Sequence, residues 1–223
     1  MSSNTTLSLD SNGLLATLLA TMTAMLGLMP LTILPLFVGV LVDDLRLSNE
    51  MAGALTSINM LGNAVGVLII SFLVRLTLRQ AVIVGAILEI GFEVISINTT
   101  GSNELLILRF AAGLGGGLVT GAAYSWIAQQ VNPDRGFALL ILLQFLLGSV
   151  LFIVLPSMTS DYGINTFYGL FCVSAVISIA ASVILSQDPN PTRTAKTATS
   201  PDTNSTPPKV NKWIIGQVLL SIA

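Results

Sequence analysis

The chain contains no histidine, and charge of either sign is scarce: nine Lys and Arg stand against eleven Asp and Glu, 9% of the residues. Without imidazole there is no histidine triad, no histidine metal site and no haem ligation by His. One cysteine, Cys172, excludes an intrachain disulfide. A net charge of -2 gives nucleic acid nothing to hold. The opening "MSSNTTLSLDSNG" has no Lys or Arg ahead of its apolar run, so it lacks the charged start of a secretory signal, and that run is too long for a signal core. No phosphate-binding loop, no Gly-x-Ser-x-Gly turn and no paired Asp within an apolar run is present. The sequence therefore reads as non-enzymatic, with no metal and no cofactor.

What the chain does have is apolar length. Hydrophobic residues make up 53% and mean hydropathy is +0.85. Soluble domains carry roughly 25% charged residues, and a solvated surface cannot be made from far fewer. The expected class is all-α, a polytopic transmembrane helix bundle whose first partner is the lipid bilayer. A span needs about 20 mostly apolar residues, and six runs qualify: 13–42, 51–74, 80–97, 104–131, 136–157 and 165–185. Residues 1–12 form a polar tail. Residues 186–212, "SQDPNPTRTAKTATSPDTNSTPPKVNK", are too rich in Pro, Thr, Ser and Asn to bury a core and read as a disordered linker. Residues 213–223 begin a seventh apolar segment that covers about half a bilayer at 1.5 Å per residue.

Lys and Arg set the expected orientation. With the N-terminus cytoplasmic, Arg75, Arg79, Arg135, Arg193, Lys196, Lys209 and Lys212 lie inside, and only Arg46 and Arg109 lie toward the outside. This is a positive-inside pattern, and it suits a multi-pass protein of the plasma (inner) membrane. Trp126 and Trp213 then fall near the inner interface and Tyr162 near the outer one, as belt aromatics.

Several motifs extend this outline. "LRFAAGLGGG" (108–117) resembles the fourth-helix signature of the major facilitator superfamily, "PLFVGVLVDDLRLSNEMAGALTSINMLGNAVG" its first-to-second helix passage, and "NPDRG" its short inner loop before helix five. In the loop between helices two and three, Arg75 and Arg79 match the family's basic positions. Val74 stands where the family has Asp, and Ile70 and Thr77 where it has Gly. The glycine-rich, Gly-Pro-ended antiporter signature is missing from helix five. The resemblance implies six helices as a 3+3 inverted repeat, half of a carrier that moves a small solute by alternating access. It further implies proton coupling and a missing C-terminal half, or a second copy, as partner. Arg75, Arg79 and Arg135 would be inner-loop gate residues. Helices one, two, four and five would line the cavity, making Asn59, Asn63, Thr120 and Gln144 candidate substrate contacts, with interhelical hydrogen bonding as their alternative role. The rival reading of the whole chain is a six-helix membrane interaction protein, or truncated relic, that assembles with partners.

Within the spans the residues themselves pose two questions. Gly113, Gly117 and Gly121 recur every four residues, as do Gly62 and Gly66, which is the spacing of close helix packing in lipid. Arg109, Glu89 and Glu93 place charge where it costs about 2.5–3.5 kcal/mol per residue at a helix centre. Arg109 either snorkels outward or faces inward as a coupling or cavity charge. The two glutamates share one helix face, and carboxylates that close in low dielectric resist joint ionisation. Glu93 leans inward along its helix and Arg109 outward, which argues against a direct pair. Pro30 and Pro35 predict a kinked first helix.

Overall fold

The computed structural model describes residues 14–72, 77–99, 101–130 and 132–185. Among them are eight helices: α1 (Leu14–Gly27), α2 (Met29–Thr32), α3 (Leu34–Leu45), α4 (Asn49–Phe72), α5 (Leu78–Ile97), α6 (Ser102–Ala128), α7 (Pro133–Tyr162) and α8 (Asn165–Ile184). The last five are each long and apolar enough to cross a membrane. The first apolar run is divided among α1, α2 and α3. Pro30 and Pro35 occupy the first turns of α2 and α3. Neither has an N–H, so neither can close the i→i−4 bond that would carry one helix through. The first apolar run is a helix interrupted at Leu28 and again at Ile33, one residue ahead of each proline-bearing turn.

Two polar contacts join distant ends of the chain. At one end Thr17 Oγ1 of α1 donates to Gln130 Oε1 just past α6 (3.0 Å). At the opposite end Asp44 Oδ2 of α3 accepts from the Ile164 N–H that opens α8 (2.6 Å). The Asp44 carboxylate thus meets an otherwise unpaired donor at a helix N-terminus, where negative charge is favoured. Gly163, immediately before it, has φ 59°, and an added Cβ would meet Asp44 Oδ2. Asp44→Ala is expected to lower the stability of the full chain by about 1 kcal/mol, the scale of a lost helix cap. Asp43→Ala should change it little. Thermal unfolding of the two variants checks this.

Packing reveals the repeat. The helix that opens the second triplet, α6, packs on α4 and α5 of the first triplet; α1, which opens the first, packs on α7 and α8 of the second. That reciprocal exchange is the pairing of a 3+3 repeat. Burial follows it. In the most apolar 18-residue window 67% of α6 is buried, against 17% of α7. So α6 is the central post, and α7 leaves Ile141, Leu142, Phe145, Leu146 and Ile153 exposed. Phe37 of α3 packs its ring tilted against Phe167 and edge-on against Phe171 of α8, with ring centroids 5.1 and 5.8 Å away.

α6 accommodates three neighbours because consecutive residues on a helix point about 100° apart. Gly115 abuts the Gly85 carbonyl of α5. Gly116 faces the Gly27 carbonyl of α1, and Gly117 meets the Asn63 carbonyl of α4. The α4 seam is reciprocal: Gly113 lies on the Asn59 carbonyl, Gly62 on the Phe110 carbonyl and Gly66 on the Leu114 carbonyl. Gly121 continues the seam against Val67. Trp126 departs from the expected belt: it is buried near the end of α6. Tyr162 is 68% exposed at the end of α7. Trp213 and the linker lie outside the described residues, as do the 1–12 tail and the seventh segment.

Candidate functional site

Charge is concentrated at one place inside the bundle, between α5, α6 and α8. α5 starts firmly, through a capping box in which Thr77 and Gln80 each bond the other's backbone N–H. Three to five turns later it presents Glu89, Glu93 and Ser96 on one face, all buried. From α6, Arg109 Nη1 donates to Glu93 Oε1 (3.0 Å) and Nη2 to Glu93 Oε2 (2.7 Å) and Ser96 Oγ (2.9 Å). The Ser96 hydroxyl in turn donates a hydrogen bond to the Phe92 carbonyl. Tyr168 of α8 lays its ring 5.0 Å from the guanidinium carbon, a cation–π contact. On the opposite side, Asn59 of α4 donates its amide to the Arg109 carbonyl (2.9 Å).

Arg109 is 0% exposed, so its charge is held inside the bundle rather than snorkelled. The fork geometry with Glu93 uses two parallel charge-assisted bonds, the strongest arrangement open to these groups. Arg109 Nε has no hydrogen-bond partner among the described residues. Glu89 lies one helical turn from Glu93 and is also buried, but receives no hydrogen bond from any described residue.

The four candidate cavity residues separate on inspection. Asn59 is committed to Arg109 as described. Asn63 donates to the Gly27 carbonyl (3.2 Å) and Thr120 to the Gly116 carbonyl (2.9 Å). Gln144 is different. Its Nε2 donates to Thr32 Oγ1 in the short α2 (3.1 Å), and both line a cavity of about 580 Å³ with Ser149, Leu31, Phe145 and Phe152. Among the described residues, no ionisable side chain lines this cavity. Thr32 was legible only as the residue between Pro30 and Pro35; nothing in the sequence singles out Tyr168.

Of the expected gate residues, Arg79 and Arg135 lie at one end of the bundle. Arg79, in the first turn of α5, and Arg135, in the first turn of α7, are exposed. Arg79 also borders a cavity of about 340 Å³ with Trp126, Thr23 and Ser182. Arg75 lies outside the described residues. No cluster suited to a metal ion occurs among the described residues.

Comparison with known proteins places this architecture. A solved peptide transporter of the POT type, a mutant in complex with sulfate, superposes with a TM-score of 0.61 at 19% identity. The match covers 96% of this chain and 47% of the transporter, so the chain spans about half the length of that structure. No curated protein matches the chain. The sequence profile described as Major Facilitator Superfamily matches residues 13–222, nearly the whole length. With its repeat-paired helices and glycine-built central post, this integral, multi-pass membrane chain belongs to the major facilitator superfamily.

Proposed function

We propose that the chain is the N-terminal six-span half of a secondary active transporter, moving a small solute by alternating access with protons as the coupling ion. The observation that carries this reading is the broken first helix beside the Thr32–Gln144 cavity, in a chain of this family. In carriers of this architecture, discontinuous helices near the midplane expose backbone groups to a solute. Pro30 and Pro35 leave the carbonyls of Leu26 and Leu31 without their usual intrahelical donors. The role is transport rather than catalysis, and it uses no cofactor.

The positive-inside pattern supports a cytoplasmic N-terminus and a cytoplasmic linker at 186–212, in a plasma (inner) membrane. Arg75, Arg79 and Arg135 then form the inner gate. The solved neighbour is a peptide transporter. Here the cavity offers hydroxyl and amide groups without charge, so any charged end of a solute would be met by the partner half.

The native mass tests the half-carrier reading. An N-terminally tagged product about twice 23.4 kDa is expected, as two similar halves imply. A product near 23.4 kDa that functions without a second copy would overturn it. Reconstituted in liposomes, the full protein should shift the lumenal pH when a transported solute is added outside. Solute uptake that leaves lumenal pH unchanged removes protons from the proposal.

A further inference from the structure

Inside the spans one cation faces two acids, and the geometry does not share it between them. Both terminal nitrogens of Arg109 are bound to Glu93, and one of them also to Ser96. Nε meets no acceptor among the described residues, Glu89 included. Glu89 is 3% exposed. Burying an ionised carboxylate with no hydrogen bond is far costlier than burying the neutral acid. Every element packed round Glu89 can be named. Glu93 lies on its own helix and Arg109 on α6. Cys172 of α8 is within electrostatic reach, and Tyr168 of the same helix sits over Arg109. Across α6, Gly116 leaves a gap: a Cβ there would lie 3.5 Å from Glu89 Oε1, 3.5 Å from Asn63 Nδ2 and 3.4 Å from the Gly27 carbonyl oxygen. So the acid of α5, the amide of α4 and the broken end of α1 meet at one glycine.

We propose that Glu89 is the proton-carrying acid of this half, with Glu93 the fixed counter-ion of Arg109, and that Asn63 turns its amide from the Gly27 carbonyl to Glu89 when the proton leaves. The proton passes to a water molecule admitted by the open state, and the carboxylate left behind needs a donor. Asn63 is the amide donor at that gap. Its departure frees the Gly27 carbonyl at the junction of α1 and α2, one residue before the break at Leu28. Proton loss on α5 is thereby communicated to the broken helix beside the Gln144 cavity. This rests on the carrier reading for its use, but its test needs no solute.

The experiment is infrared spectroscopy of the full chain in lipid, following the carbonyl stretch of a protonated carboxyl and its shift in heavy water. The parent should show such a band at neutral pH, and Glu89→Gln should lose it. Because Gln mimics the neutral acid, Glu89→Gln should unfold at the parent's temperature. A band absent from the parent, or persisting in Glu89→Gln, overturns the assignment. So does a loss of stability in Glu89→Gln as large as that in Glu93→Gln. Asn63→Leu, which removes the donor for the ionised form, should move the disappearance of the band to higher pH; an unmoved midpoint overturns the Asn63 step. Failure of any of these leaves the transport reading intact, and absence of solute flux leaves the proton assignment intact.

Discussion

Glu93→Ala is expected to destabilise the protein by about 3–5 kcal/mol, the scale for removing one partner of a buried ion pair. The reason is asymmetry. Arginine cannot shed its proton in a protein, and Arg109 is 0% exposed, so the variant keeps a buried cation without its counter-ion. Replacing both partners by apolar groups of similar size removes the charge together with its desolvation penalty, and such exchanges are often neutral or stabilising. Glu93→Met with Arg109→Met should therefore recover most of the loss. Thermal unfolding of the parent, both single variants and the pair measures the coupling directly. A second cycle sharpens the result. Glu89 stands one turn away and is free to become a substitute counter-ion. Glu89→Gln, silent by itself, should deepen the defect of Glu93→Gln beyond the sum of the two. Additive losses would show that Glu89 does not reach Arg109 even when Glu93 is gone.

The ion pair also shows where sequence reading reaches its limit. Apolar length marked every span, since lipid requires about 20 apolar residues whatever their packing. The boundaries moved where polar residues continue a helix: α7 runs from Pro133 to Tyr162, well beyond the apolar core at 136–157. Pro30 and Pro35 marked the break in helix one, because a missing N–H is a local fact. The Glu93–Arg109 contact was harder, and the opposed lean of the side chains argued against it. The lean was right and the inference reversed. Glu93 lies four residues before the end of α5, about 6 Å deep, and Arg109 seven residues into α6, about 10 Å deep. Arg109 is the deeper, so an outward-leaning Arg and an inward-leaning Glu converge. Depth order decides the sign, and it depends on how two helix ends align, which no local pattern states. Tyr168 was illegible for the same reason: its place over Arg109 follows from the docking of α8 against α5, a long-range outcome.

Alanine at Gly115 or Gly117 should disrupt the bundle, whereas alanine at Gly116 between them should not. An added Cβ at Gly117 would meet the Asn63 carbonyl of α4; at Gly115 it would lie 2.6 Å from the Gly85 carbonyl oxygen and 2.7 Å from the Glu89 backbone nitrogen. These are backbone atoms of neighbouring helices, with no rotamer to yield, so the helices must part. Overpacking typically costs 1–3 kcal/mol, and obstruction by backbone places these variants at or above the top of that range, about 3 kcal/mol each. Gly113→Ala, against the Asn59 carbonyl, belongs with them. At Gly116 the nearest atoms would be 3.4–3.5 Å away, ordinary contact. Relief of glycine's poor helix propensity, about 1 kcal/mol, then leaves Gly116→Ala neutral or slightly stabilising. Gly91→Ala on the open face of α5, with nothing near its Cβ, should behave the same way. A propensity argument would predict gain at every one of these sites, and a general small-residue argument would predict loss at all of Gly115, Gly116 and Gly117. Only helix-by-helix contact predicts loss, tolerance, loss along three consecutive residues. Folded yield by size-exclusion chromatography, followed by thermal unfolding of whatever folds, reads that order. Equal tolerance at Gly115 and Gly117 would mean that α6 does not hold α4 and α5 at backbone contact.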